Sequence, residues 1–249
     1  MQRFDDKMVL VTGAGSGIGK ACAERLAAEG ANIFAVDINQ SALDALVTVL
    51  NEQGGRAVAC CADVSRQDQV NAAVATCIEA FGRIDVVVNM AGILKFEFIE
   101  QLDEQDWQRI IDVNLTGTFF LCKAVLPHLV ASRGNIVNAA STSALAGVPW
   151  ASAYSASKGG VLSMTRSIAV EYAKRGVRAN CVCPGEIHTP MIDALSFPDG
   201  ADFSIIPRIS SLTGMQGPEV VAGVVAMLAS DDGRHITGEH VRVDGGTLS

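Results

Sequence analysis

Tyr154 and Lys158 stand four residues apart in the stretch YSASK (154–158). On a helix, positions i and i+4 share one face, one turn apart. A phenol would then have an ammonium group for a neighbour. A Tyr with a reference pKa near ~10 is protonated at neutral pH, and a nearby opposite charge favours the phenolate. At ~4 Å and an effective dielectric of ~20 the attraction is roughly 4 kcal/mol, about a thousandfold in the ionisation equilibrium before screening. The expectation is a Tyr154 brought toward pH ~7, where it would serve as a general acid or base. A surface Tyr packed beside a solvated Lys has the same spacing, so the rest of the chain must decide.

A second chemical signal lies near the start. TGAGSGIG (12–19) follows an apolar run and opens onto a helical pattern. Glycines let the backbone turn tightly and approach a pyrophosphate, which the helix N-terminus attracts through free N–H groups and its dipole. The spacing is Gly13-x-x-x-Gly17-x-Gly19, with Ser16 and Ile18 between the glycines. A tight strand-to-helix corner would also explain such a turn. Some twenty residues on, the next apolar run ends in Asp37, where a carboxylate can hydrogen-bond adenosine ribose hydroxyls and repel a 2′-phosphate. No Arg or Lys follows at Ile38, Asn39 or Gln40. NAD is favoured over NADP, although a helix cap or a solvated strand end would equally place an Asp there. Asp63 reads either as the cap of the next helix or, with Ser65 serving as cap, as a group free to reach adenine.

The elements that must position these groups alternate along the chain. Short apolar runs at 8–12, 32–37, 56–64, 85–89, 134–140, 177–183 and 240–244 read as strands. Helical patterns lie at 17–29, 41–53, 66–80, 154–174 and 218–230, with one or two helices over 103–131. Strands that are apolar throughout are buried on both faces, which predicts a parallel sheet covered by helices. Strict alternation with right-handed crossovers gives an α/β, Rossmann-like, doubly wound parallel sheet of seven strands in a single domain over 1–249. Ligands in such sheets bind beyond the carboxyl ends of the strands. The polar and Gly-rich oddities at 12–19, 37, 63, 89–92, 114, 141 and 184–189 fall there.

The bulk numbers narrow the function classes. The 249 residues are 49% hydrophobic and 18% charged, with a net charge of −8, which argues against a nucleic-acid partner. MQRFDDKMVL carries acids before its apolar run and lacks a cleavage pattern, so no signal peptide is expected. VVAGVVAMLA (220–229) is too short to span a bilayer, so the expectation is a cytoplasmic protein without a membrane partner. The seven cysteines are odd in number with no C-x-x-C, and the four histidines are scattered, which predicts neither a disulfide framework nor a metal site.

Taken in order, TGAGSGIG (12–19), Asp63-Val64, NMAG (89–92), Asn114 within DVNLTG, Ser141, YSASK, PGEIHT (184–189) and ITGEHVRVDGG (236–246) resemble the short-chain dehydrogenases/reductases in their single-domain form. The resemblance runs along nearly the whole chain. It implies a catalytic tetrad of Asn114, Ser141, Tyr154 and Lys158. Tyr154 would pass a proton to or from the substrate oxygen as hydride moves to or from a nicotinamide. Lys158 would depress the Tyr pKa and hold the nicotinamide ribose. Ser141 would hydrogen-bond the substrate oxygen, in competition with the adjacent hydroxyls of Thr142 and Ser143, and Asn114 would hold a water relaying protons from Lys158. The resemblance places cofactor contacts at Gly13, Ser16, Gly17, Ile18, Gly19, Asp37, Ile38, Asp63, Val64, Asn89, Ala91, Gly92, Tyr154, Lys158, Pro184, Gly185, Ile187 and Thr189. Met90 stands where the family often has a second Asn. Glu186 beside the nicotinamide would either bias the pocket against anionic substrates or point to solvent.

The segment 188–214, broken by Pro190, Pro198, Gly200 and Pro207, reads as a substrate lid. Met191, Leu195, Phe197 and Phe203, with Leu94, Phe96 and Trp150, suggest a mainly apolar pocket for a secondary alcohol or its ketone. Three functions remain open. The first is an NAD-dependent alcohol dehydrogenase. The second is a 3-oxoacyl-carrier-protein reductase, for which Arg133, Lys174 and Arg175 would supply a docking patch. The third is a dinucleotide-binding regulatory protein without turnover. The resemblance also implies a homotetramer.

Overall fold

The computed structural model describes residues 2–249. Seven strands, all parallel, form one sheet: β1 (Met8–Thr12), β2 (Asn32–Asp37), β3 (Ala57–Cys61), β4 (Val86–Asn89), β5 (Asn135–Ala139), β6 (Arg178–Pro184) and β7 (His240–Val243), in the order β3-β2-β1-β4-β5-β6-β7. The chain winds outward from β1 to one edge, returns to β4 and winds to the other edge. The switch point lies between β1 and β4, where Thr12 pairs with Asn89.

Alternating side chains explain why the strands are apolar throughout. Val9, Val11, Val86 and Val88 face a core built with α1 (Gly17–Ala28), α2 (Gln40–Glu52) and α8 (Glu219–Ala229). Met8, Leu10 and Val87 face the opposite core, built with α3 (Gln67–Phe81), α5 (Gly117–Ser132) and α6 (Ser152–Tyr172). The inner strands thus bury both faces under helices, while the edge strands β3 and β7 are only partly covered. Local chemistry sets the boundaries. Asn39 caps α2 by accepting from the Ala42 amide at 3.1 Å, and Gly82 ends α3 in the left-handed conformation at φ 77°.

The expected third strand stops at Cys61 rather than 64, because its partner β2 ends at Asp37 and leaves the following residues no strand to pair with. The 103–131 region is α4 (Glu104–Ile111), a π turn over Asp112–Thr116, and α5. Together they make one 29-residue helical run whose most apolar 18-residue window has a mean hydropathy of 1.4 and is 44% buried. By length and composition alone this run could cross a membrane. Here it packs on α3 and α6 as a core helix. The short α7 (Pro190–Asp193) and a 3₁₀ stretch, Phe203–Ile209, lie in the segment after β6.

Candidate active site

A cleft of about 600 Å³ runs along the carboxyl ends of β1 to β6, from Asp37 and Ile38 at one end to Phe197 and Ile206 at the other. Its first wall is the turn after β1. Gly13 is left-handed (φ 67°), and an added Cβ would lie 2.8 Å from the Ala91 amide nitrogen; at Gly19 it would lie 2.1 Å from the Gly13 carbonyl oxygen. Both positions exclude any side chain. Ser16 precedes α1 without making a side-chain cap, so the first N–H groups of that helix keep no partner of that kind. This is the geometry that holds a pyrophosphate. Ser16, Gly17, Ile18, Val64, Ala91 and Gly92 line the cleft, as do Pro184, Gly185, Ile187 and Thr189 at its far wall.

Asp37 sits at the adenosine end. Its Oδ2 accepts from the Gly15 amide at 2.9 Å and its Oδ1 from the Asn39 amide at 2.9 Å. Gly15 was not among the expected site residues, yet a Cβ there would lie 2.9 Å from the Asp37 carboxyl carbon. Its signal was the second glycine of TGAGSGIG, which the Gly13–Gly17–Gly19 spacing passes over.

Two adenosine-side expectations need correction. Asp63 lines the cleft but is already bonded: its Oδ1 accepts from the Ser65 amide (2.9 Å) and hydroxyl (2.6 Å), and its Oδ2 lies 3.4 Å from Arg109. Burial pushes this carboxyl up, but the Ser65 bonds and Arg109 together hold it below its ordinary value. Ser65 is no helix cap either, since α3 starts at Gln67 with Arg66 in the cap position. Asn89 also turns away from the cleft. Its amide donates to Asn138 Oδ1 at 2.7 Å, and Asn138 donates to Thr165 at 2.8 Å, in a buried network beneath the site. The Met90 and Ala91 amides are instead fixed by Thr12 Oγ1, at 3.2 and 3.3 Å.

At the centre of the cleft, the turn after β5 delivers Ser141, α6 delivers Tyr154 and Lys158, and the π turn delivers Asn114. Lys158 is 4% exposed and donates from Nζ to the Ala139 carbonyl at 2.8 Å. A Cβ on Gly92 would meet this Nζ at 3.4 Å and Asn114 Oδ1 at 3.3 Å, so the three converge. Ser141 accepts from the Ser143 amide at 3.2 Å, while the Ser143 hydroxyl is buried without a partner.

Burial works against the expected phenolate. Burial pushes the Tyr154 phenol up to about 12, against the pull of the Ser141 hydroxyl. Burial likewise lowers Lys158 to about 8, opposed by the Cys181 and Cys183 thiols. The reason is distance and desolvation. Nζ is 5.6 Å from the Tyr154 ring centroid and turned to Ala139, so the pair shares a face without an ion pair, and loss of water dominates both groups. Asn114 is anchored by its side chain. Its side-chain nitrogen donates to the Ile93 carbonyl and Ser157 Oγ, each at 3.0 Å, and its oxygen accepts from the Ile93 amide at 2.8 Å. Both side-chain N–H donors are thus used, and the oxygen keeps one acceptor site. Ser157 Oγ in turn donates to the Tyr154 carbonyl at 2.7 Å, tying the π turn to α6.

At the apolar end, Leu94, Phe96, Met191, Leu195 and Phe197 line the cleft as expected. Trp150 and Phe203 stand one layer behind, against Phe96 and Phe197. Glu186 is neither aimed wholly at solvent nor free, because its Oε2 accepts from the Ser211 amide at 3.3 Å.

The Gly-walled turn, the ribose-side carboxylate and the length of the cleft fit a nicotinamide dinucleotide, and its far end places a phenol, a hydroxyl and an ammonium around one point. Fold and site together define an oxidoreductase that works on alcohol and ketone groups with a nicotinamide cofactor. The chain belongs to the short chain dehydrogenase family, whose model matches residues 7–198. It is 40% identical over 247 residues to a 3-oxoacyl-[acyl-carrier-protein] reductase of Thermotoga maritima, covering 99% of both chains. It is 41% identical over 247 residues to a meso-2,3-butanediol dehydrogenase of Serratia marcescens, covering 99% of this chain and 96% of the relative. Among solved structures, levodione reductase superposes with a TM-score of 0.89 at 36% identity, covering 98% of each chain.

Proposed function

We propose that the chain is an NAD-dependent dehydrogenase of a secondary alcohol, with Asn114, Ser141, Tyr154 and Lys158 as its working groups. The observation that carries this reading is their convergence where the Gly-walled cleft meets the apolar end. When bound, the nicotinamide supplies the hydride acceptor or donor. Tyr154 takes or gives the proton at the substrate oxygen, and Ser141 donates a hydrogen bond to that oxygen. Lys158, buried and with a weakened hold on its proton, sits where its charge would stabilise the phenolate as it forms. Asn114, through Ser157, holds α6 in register with the 90–93 loop.

NAD rather than NADP is supported by Asp37, whose carboxylate is held in place by two backbone amides and has no cation beside it. The segment 188–214 is read as the substrate lid of a single domain. A homotetramer is supported by Trp107 and Phe119, 40% and 45% exposed on α4 and α5. A cytoplasmic setting without nucleic-acid or membrane partners rests on charge and composition.

A carrier-protein reductase gains support from the Thermotoga maritima relative. The basic patch expected for it lies at the wrong pole. Arg133 precedes β5, Lys174 and Arg175 precede β6, and Gly176 packs on the Arg133 side chain, all at the amino ends of the strands. The test is nicotinamide absorbance with a panel of secondary alcohols, NAD⁺ and NADP⁺ in parallel, beside Tyr154→Phe. NAD⁺-dependent turnover lost in the variant supports the proposal, and NADP⁺ preference refutes the role of Asp37. Cofactor binding without turnover across the panel would favour a regulatory protein.

A further inference from the structure

Four aromatic rings meet at the apolar end of the cleft. Phe96 stacks on Phe197 with centroids 5.4 Å apart and planes 29° apart. Trp150 meets Phe197 edge-on at 5.7 Å and Phe96 at 6.3 Å, and Phe203 packs edge-on against Phe197 at 5.1 Å. Phe96 and Trp150 come from the loops after β4 and β5, while Phe197 and Phe203 both come from segment 188–214. The two halves of the cluster therefore belong to the frame and to the covering segment respectively.

The frame half is held under strain. Trp150 has φ 61°, a left-handed conformation that a bulky residue adopts only when its surroundings impose it. Its carbonyl accepts from the Glu97 amide at 2.8 Å, which locks the two frame loops together beside Phe96. The covering half is loosely held. Phe197 is 43% exposed and Phe203 is 58% exposed, and beyond the rings the segment is stitched down near its end, where Leu212 bonds to the Gly245 carbonyl at 3.0 Å.

Charge at this end of the cleft is equally one-sided. The apolar walls include Leu94, Met191 and Leu195, and the charged side chain among them is the Glu186 carboxylate. Lys158 is buried and committed to Ala139, and Arg109 lies at the adenosine end beside Asp63 and Ser65. A carboxylate or phosphate on the substrate would meet no free cation and one like charge.

We propose that this ring cluster is the specificity element of the dehydrogenase, and that it selects an uncharged substrate whose secondary alcohol or ketone is part of, or attached to, a ring. This rests on the oxidoreductase reading and goes beyond it by naming the substrate class. A flat apolar ring can slide against the Phe96–Phe197 wall and keep face and edge contacts that a flexible chain would have to freeze rotors to make. Ring entry would part Phe197 from Phe96, and closure would re-form the contact over the substrate.

The experiment compares cyclohexanol, 2-hexanol and 3-hydroxyhexanoate, matched in carbon number, with NAD⁺ and NADP⁺, for the wild type and Phe197→Ala. The expected kcat/KM is about tenfold higher for cyclohexanol than for 2-hexanol and about a hundredfold higher than for 3-hydroxyhexanoate. In Phe197→Ala the ring preference should fall below about threefold. Equal or better turnover of the open-chain or anionic alcohol overturns the proposal and leaves the oxidoreductase reading intact. If nothing turns over, Trp107→Phe leaves Trp150 as the sole tryptophan, and its emission is read with oxidised cofactor present. A response to cyclohexanone and not to hexanoate supports the ring site while refuting turnover. No response to cyclohexanone refutes the ring site as well.

Discussion

The two ends of the cleft are built by opposite means. At the cofactor end, backbone does the work: glycines with no room for a Cβ, amides held by Thr12 and Asp37, and the open first turn of α1. At the substrate end, side chains do it: aromatic rings on a long segment whose regular structure is limited to α7 and one 3₁₀ stretch. A backbone cradle tolerates one ligand and little variation. A wall of side chains can be repacked for another substrate without disturbing the sheet. The difference teaches that a chain of this family can hold its cofactor chemistry fixed while its substrate drifts, because the two are encoded in different kinds of contact.

That contrast can be broken at several points. Tyr154→Phe should leave cofactor binding unchanged in a titration and lower kcat by about 10²–10⁴, the usual contribution of a positioned acid or base. Equal losses in binding and turnover would mean the phenol belongs to the cradle instead. Lys158→Met should show that the reacting centre is held at a cost. Lys158 has its folded value lowered to about 8 from 10.5, so between these values the unfolded chain keeps a proton the folded protein has shed. Wild-type stability should therefore rise relative to the variant as pH increases from 8, by roughly 2–3 kcal/mol approaching pH 10.5 in urea unfolding. A flat difference would place Lys158 in contact with water.

Asp37→Ser should narrow the preference for NAD over NADP by about tenfold in kcat/KM, since about 1.4 kcal/mol of repulsion is lost. Undiminished discrimination would move the selector elsewhere in the cradle. The smallest effect belongs to Glu186→Gln. The Ser211 amide keeps an acceptor but loses a charged one, so KM for a neutral alcohol should change by no more than about threefold. A larger change would tie the substrate end to the cofactor loop more tightly than the ring cluster does.

The alternation of strands and helices and the cofactor loop were readable from the sequence because both are written in composition. Continuous apolar runs and unsubstitutable glycines leave a signature in single residues. What escaped depends on direction rather than type. The spacing of Tyr154 and Lys158 placed them on one face, but only three dimensions show Nζ turning to Ala139 and burial outweighing attraction. Asp63 and Ser65 each have capping chemistry, and the sequence cannot tell that they bond to one another. Asn89 sits in the right motif and points inward to Asn138, since strand pleat rather than motif membership sets its side. Phe203 and Trp150 have the hydrophobicity of pocket residues and form a second layer instead.

The π turn at Asp112–Thr116 has a consequence for how this chain can change. A helical residue advances about 100° around its axis, and a π turn takes up one more residue than an α turn over the same rise. The helical run from Glu104 to Ser132 therefore carries a phase shift at Asn114, and α4 and α5 present differently clocked faces to α6 and α3. Deleting one residue there would give a straighter and locally better helix. It would also rotate all of α5 by about a third of a turn relative to α4 and tear its apolar stripe from α3. The length of this run is thus a fixed quantity, and insertions or deletions that a surface loop would absorb are forbidden in it.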